Sequence, residues 1–114
     1  MAKIAVVEDN DAMREQLCGF IAQYARESGR QLDMTAFADG AEIVDPYRPG
    51  FDIIFLDIEM PTLGGMPTAE RIRQVDPDVV LVFVTNMAQY AIKGYEVDAL
   101  DYVLKPVSYG AFCT

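Results

Sequence analysis

Residues 51–61, FDIIFLDIEMP, contain a largely apolar run that ends in an acidic residue, Asp57. A run of this length is typical of a strand that is buried on both faces of a sheet. Residues 3–7 and 79–84 form similar runs, and residues 31–37 and 99–104 show weaker strand patterns. The sequence therefore predicts five strands.

Segments with helical periodicity separate the predicted strands. In the first of them, Met13, Leu17, Ile21 and Tyr24 recur at spacings of three and four, and the helix is expected to end near Ser28. Further helices are predicted at residues 39–47, from 67 to about 75, and at 87–95. A last helix begins at 108, and we expect it to be truncated. This alternation predicts one doubly wound α/β domain, residues 1–114, with a mostly parallel sheet.

Composition narrows the classes of function. The 114 residues carry 18 acidic and 9 basic side chains, a net charge of −9, which argues against direct binding to a nucleic-acid backbone. No apolar run is long enough for a membrane span, and we read no export signal, so a cytoplasmic location is expected. Cys18 and Cys113 lie far apart and the chain has no histidine, so neither a disulfide framework nor a zinc site is indicated.

Polar residues follow four of the predicted strands at their carboxyl ends, where ligands of open α/β sheets bind. These residues are Glu8, Asp9, Asp57, Thr85 and Lys105, with Glu59 as a further candidate. Carboxylates brought together repel one another unless a cation neutralises them, and an all-oxygen ligand set suits Mg²⁺. A carboxylate can also attack a phosphoryl group.

Four of these residues also have an ordinary structural interpretation when each is taken alone. Glu8, Asp9 and Thr85 could each cap a helix, and Lys105 could be a solvated surface lysine. A functional site is favoured because these residues all fall at the ends of strands that are predicted to be parallel.

Four segments resemble response-regulator receiver domains: residues 6–10, VVEDN; 54–61, IFLDIEMP; 84–85, VT; and 101–106, DYVLKP. Residues 95–107 are similar to the LytR/AlgR branch, whose members usually carry a C-terminal LytTR DNA-binding domain. We expect that domain to lie outside these 114 residues.

The resemblance implies a flavodoxin-like fold with strand order 2-1-3-4-5. It implies that Asp57 accepts a phosphoryl group from a sensor histidine kinase. Glu8, Asp9, Asp57 and the backbone carbonyl of Glu59 would hold Mg²⁺, directly or through water.

Other residues acquire roles only through this resemblance. Lys105 would pair with the phosphoryl oxygens, and the bond between Lys105 and Pro106 would be cis. Thr85 and Tyr102 would couple phosphorylation to an output face that controls a transcription-regulating effector. The chain would then be a signalling domain rather than an enzyme, assisting only its own phosphoryl transfer and dephosphorylation, and a homodimer is expected.

Three alternatives remain at this stage. A phosphohydrolase of the haloacid dehalogenase type would share an apolar strand that ends in an acidic motif, but Glu8 and Asp9 would have no role in it. A receiver-like interaction module would bind partners without phosphorylation. A flavin-binding flavodoxin is disfavoured, because the acidic residues after the first strand would repel a phosphate.

Overall fold

A computed structural model describes residues 2–84 apart from 45 and 58–61, together with the backbone of Thr85 and of residues 101–104. The elements, in chain order, are β1 (Ala2–Val7), α1 (Asp11–Ser28), β2 (Leu32–Phe37), α2 (Gly40–Val44), β3 (Ile53–Leu56), α3 (Gly65–Val75), β4 (Val80–Thr85) and β5 (Asp101–Leu104). The helices predicted at 87–95 and 108–114, including the expected truncation, lie outside the described residues.

The five strands form one parallel sheet in the order β2-β1-β3-β4-β5. This confirms the predicted flavodoxin-like topology. Val7, the last residue of β1, pairs with Phe37 of β2 and with Leu56 of β3. The three strands therefore end at the same level, and the residues that follow them emerge side by side.

The alternation of side chains along the strands builds a core on each face of the sheet. On one face, Ala5, Ile54 and Phe83 pack with buried residues of α2 and α3. On the other face, Val6 and Val84 pack with Leu17 and Ile21 of α1. Helices thus cover both faces, which explains why the strands of the sheet centre are apolar at nearly every position.

The ends of α1 follow standard capping chemistry. The side chain of Asn10 accepts a hydrogen bond from the backbone N–H of Met13 at 3.0 Å, which satisfies one of the free donors at the helix start. Gly29 ends the helix with a φ of 71°. The end of α1 at Ser28 agrees with the sequence prediction.

The helix predicted at residues 39–47 is shorter than expected. It ends at Val44, and Pro46 and Tyr47 lie outside it. A proline disfavours helical backbone in the residue before it, so Pro46 accounts for the early end. Among the described residues, no helix is both long and apolar enough to cross a bilayer.

Candidate functional site

The backbones of Glu8 and Asp57 are fixed next to each other by continuation of the sheet. The N–H of Glu8 donates to the carbonyl of Phe37 at 3.0 Å, and the N–H of Asp57 donates to the carbonyl of Val7 at 3.0 Å. Parallel pairing thus extends one residue beyond each strand. This extension places two acidic residues from distant parts of the chain at one edge of the sheet.

Three carboxylates meet at this edge. One carboxylate oxygen from each of Glu8, Asp9 and Asp57 lies within 4.8 Å of the others. Glu8 is fully buried and Asp57 is 6% exposed, whereas Asp9 is exposed. The structure therefore brings together the three carboxylates singled out in the sequence, with one of them open to solvent. We call these three residues the acidic cluster.

A residue in the first turns of α1, Arg14, contacts the backbone of the acidic cluster. The guanidinium of Arg14 donates to the backbone carbonyl of Glu8 at 2.9 Å through Nη1, and its Nη2 pairs with the carboxylate of Asp11. Hydrogen bonds from a charged donor are stronger than neutral ones. The carbonyl of Glu8 is thereby tied to the helix that begins three residues later.

The donor set of the acidic cluster fits a hard divalent cation. Mg²⁺ binds oxygen ligands at about 2.1 Å, so two oxygens on one ion lie at most about 4.2 Å apart. The carboxylate oxygens lie up to 4.8 Å apart, so they could hold one ion if they moved slightly closer together or if one of them bound the ion through water. Mg²⁺ commonly keeps some of its water ligands in proteins. Two of the carboxylates are removed from solvent, which makes neutralisation by a cation more favourable.

The structure describes the remaining predicted site residues only in part. Thr85 is the last residue of β4, and its backbone pairs with Leu104; Tyr102 lies in β5 and pairs with Phe83. Thr85 therefore lies on the strand next to β3, which ends just before Asp57, and Tyr102 lies one strand further from it. Glu59, Lys105 and Pro106 lie outside the described residues.

Sequence reasoning missed Asp39, a buried carboxylate between β2 and α2. Its Oδ1 accepts hydrogen bonds from the backbone N–H groups of Ala41 and Leu63, and its Oδ2 accepts one from Thr62, all at 2.9 Å. Burial raises the pKa of Asp39, but these three donors outweigh burial and hold the pKa below its ordinary value. The Asp39-Gly40 pair looked like an ordinary helix start, and nothing local identifies partners 23 and 24 residues away.

Comparison with known proteins gives one consistent match. The family described as response regulator receiver domain matches residues 4–114. The sensory transduction protein LytT of Bacillus cereus is 33% identical over 108 residues, covering 93% of this chain and 42% of LytT. The transcriptional regulatory protein BtsR of Escherichia coli is 34% identical over 111 residues, covering 94% of this chain and 43% of BtsR.

Among solved structures, the non-phosphorylated HemR receiver domain from Leptospira biflexa superposes with a TM-score of 0.85 at 27% identity, covering 99% of this chain and 89% of that one. The likeness to LytT and BtsR agrees with the predicted LytTR-type branch. The chain spans a little over two fifths of the length of these two relatives, 42% and 43%.

Proposed function

The chain belongs to the response regulator receiver family, the signalling domains of two-component systems, and from this premise we propose that Asp57 accepts a phosphoryl group. One observation carries the proposal: Asp57 lies at the end of β3, nearly buried, with Glu8 and Asp9 within 4.8 Å of it. The sheet fixes the backbone of Asp57, and one member of the group, Asp9, is exposed to solvent.

The transfer is a nucleophilic substitution at phosphorus. A carboxylate oxygen of Asp57 forms the new P–O bond while the bond from phosphorus to the leaving group breaks. If the donor is a phosphohistidine, the imidazole nitrogen departs with the bonding pair and takes up a proton. The product is an acyl phosphate on Asp57, and attack of water on its phosphorus returns the carboxylate and inorganic phosphate.

Receiver domains bind Mg²⁺ at their acidic pocket, and this chain has such a group of carboxylates. We propose that Glu8, Asp9, Asp57 and the backbone carbonyl of Glu59 hold the ion here, some of them through water. Bound Mg²⁺ would neutralise negative charge on the phosphoryl oxygens. Glu8 and Arg14 contribute by fixing the cluster's geometry, since the carbonyl of Glu8 is held by the guanidinium.

The remaining roles extend the same proposal to neighbouring strands. Lys105 would pair with the phosphoryl oxygens, next to a cis bond at Pro106. Thr85 would donate its hydroxyl to the phosphoryl group, and Tyr102 would respond to that movement. Support for the roles of Thr85 and Tyr102 comes from their position on β4 and β5, which pair directly.

We propose a sensor histidine kinase as the phosphoryl donor, because receiver domains interact with such kinases. Residues 1–114 would form one domain that dimerises in the cytoplasm and controls a transcription-regulating effector. Support for the effector comes from BtsR, which is named a transcriptional regulatory protein. The acidic net charge of −9 favours DNA contact by the effector rather than by this domain.

Intact-mass measurement after incubation with acetyl phosphate tests the proposal. Wild-type protein with Mg²⁺ should gain one phosphoryl group, and Asp57→Asn should gain none. EDTA should abolish uptake by the wild type, and Asp33→Asn, which removes an exposed carboxylate on β2, should leave it unchanged. A folded wild type that binds Mg²⁺ but takes up no phosphoryl group would instead support the interaction module.

A further inference from the structure

Asp39 ties two distant parts of the chain together. Its carboxylate receives three backbone N–H groups: Ala41 in the first turn of α2, and Thr62 and Leu63 in the segment that leads into α3. The residue is only 9% exposed. Capping of α2 requires only the hydrogen bond from Ala41, so the two bonds to residues 62 and 63 serve another purpose.

Gly40 packs against the same segment. A Cβ at this position would overlap Oγ1 of Thr68 and lie 2.5 Å from the carbonyl oxygen of Leu63. Thr68 is fully buried and donates through Oγ1 to the carbonyl of Gly64 at 2.8 Å. The absence of a side chain at Gly40 therefore lets the start of α2 approach residues 63–68 closely enough for Asp39 to reach Thr62 and Leu63.

Thr62, the first of the two residues of this segment that Asp39 binds, follows Asp57 by five positions. On its amino side, Asp57 is fixed by its hydrogen bond to Val7. On its carboxyl side, the next fixed points among the described residues are Thr62 and Leu63, which are held by Asp39. Among the described residues, Asp57 is thus held by β1, and the next two described residues, Thr62 and Leu63, are held by Asp39.

We propose that Asp39 is a positioning residue for the Asp57 site: by anchoring Thr62 and Leu63, it supports cation binding and phosphoryl acceptance at Asp57. The inference rests on the proposed function of Asp57. Without these two hydrogen bonds, Thr62 and Leu63 would sample more conformations, and ordering them when the cation binds would cost entropy. Loss of supporting contacts around a metal site typically weakens affinity by about 10–100-fold, and we expect about tenfold because Asp39 acts through the backbone.

Asp39→Ser separates this role from helix capping. A serine hydroxyl can still accept a hydrogen bond from Ala41, as serine commonly does at helix starts, but it is too short to reach Thr62 and Leu63. Glu42→Gln is the matched control, because it removes one carboxylate from the exposed side of the same helix. Asp39→Asn is a milder second variant, since it keeps the side-chain volume but replaces one acceptor oxygen with a donor.

The experiment combines three readouts on wild type, Asp39→Ser and Glu42→Gln. NMR hydrogen exchange reports on the amides of Ala41, Thr62 and Leu63, calorimetric titration gives the Mg²⁺ affinity, and intact mass gives the rate of phosphorylation by acetyl phosphate. In Asp39→Ser we expect protection to be lost at Thr62 and Leu63 but kept at Ala41, with Mg²⁺ affinity about tenfold weaker. Glu42→Gln should match the wild type in all three readouts.

Two results overturn the inference while the proposed function stands. In the first, Asp39→Ser loses protection from hydrogen exchange at Thr62 and Leu63 but keeps the Mg²⁺ affinity and the phosphorylation rate of the wild type. In the second, the amides of Thr62 and Leu63 stay fully protected in Asp39→Ser, although the carboxylate is gone. If Asp39→Ser does not fold, Asp39→Asn is tested by the same three measurements. Hydrogen exchange at the amide of Thr62 then decides, because this amide donates to Oδ2, the oxygen that asparagine replaces. A wild type that neither binds Mg²⁺ nor accepts a phosphoryl group overturns both, while its amide protection still shows whether the tether exists.

Discussion

Asp39 follows β2 and Asp57 follows β3, the two strands on either side of β1. Both carboxylates are buried, but their surroundings differ. Asp39 receives three backbone N–H groups, which stabilise its charge within the protein. Asp57 instead lies within 4.8 Å of two further carboxylates. The first environment suits a permanent structural anion, and the second suits a carboxylate whose charge is compensated by a cation from solution.

The low pKa of Asp39 predicts how its contribution to stability depends on pH. Because the folded-state pKa is lowered, the contribution is present above the ordinary pKa and is lost as pH falls through the folded value. Asp39→Asn should therefore lower the free energy of unfolding most at neutral pH, with the difference from wild type shrinking below about pH 4. Urea unfolding in EDTA across this range measures that difference.

The control for this pH effect is Asp33→Asn, which removes an exposed carboxylate of β2. Its difference from wild type should stay small at every pH, because exposed charges contribute little to stability. A difference for Asp39→Asn that is constant from neutral to acidic pH would contradict the role assigned to the ionised carboxylate.

Part of the site could be predicted from the sequence, because the acidic residues of the site directly follow predicted strands. Glu8, Asp9 and Asp57 could be grouped because parallel strands finish at one edge of the sheet, and the structure places them there. Asp39 could not be found in this way. Its partners are the backbone N–H groups of Thr62 and Leu63. Every residue except proline has such a group, so the residue types at these positions do not reveal the contact.

At the scale of single elements, the glycine inside α1 and the glycine that follows it should respond oppositely to substitution by alanine. Gly19 lies inside the helix, and a Cβ added there would meet no other atom within 4 Å, so Gly19→Ala should raise the free energy of unfolding by about 0.8–1 kcal/mol. Gly29 ends the helix at a φ of 71°, so Gly29→Ala should lower it by about 1 kcal/mol. Denaturant unfolding of both variants measures the two changes, and changes of the same sign would contradict this account of α1.

The presence of the strands was more predictable from the sequence than the residue at which α2 ends. An apolar run such as residues 51–56 reports burial on both faces directly, and the structure has β3 at Ile53–Leu56. The end of α2 depends on a single local restriction, since Pro46 stops a pattern of apolar residues that continues to Tyr47. Periodicity gives the element, and the chemistry of individual residues sets where it stops.

At the scale of the whole molecule, charge and cation binding are linked. A net charge of −9 on 114 residues makes the folded state repel itself, and the acidic cluster concentrates part of that repulsion at one edge of the sheet. A divalent cation bound there would relieve the repulsion, and it would bind only the folded protein, because Glu8 and Asp57 meet only after folding.

Mg²⁺ should therefore stabilise the wild type by more than its ionic strength explains. At a hundredfold excess over the dissociation constant, linkage predicts about 2.7 kcal/mol. Thermal unfolding in MgCl₂ and in NaCl of equal ionic strength measures the difference. Asp9→Asn should lose most of the gain from Mg²⁺ while remaining folded, because Asp9 is exposed. Equal unfolding temperatures in the two salts would argue against a cation site in the acidic cluster.

The most direct test of the central claim locates the phosphoryl group. Borohydride reduces an aspartyl phosphate to homoserine, so wild-type protein treated with acetyl phosphate and Mg²⁺, reduced and digested can be mapped by tandem mass spectrometry. We expect homoserine at position 57 and at no other acidic residue, with none formed when Mg²⁺ is removed. Homoserine at Asp9, or its absence from a folded protein that binds Mg²⁺, would contradict the assignment of Asp57 as the phosphoryl acceptor.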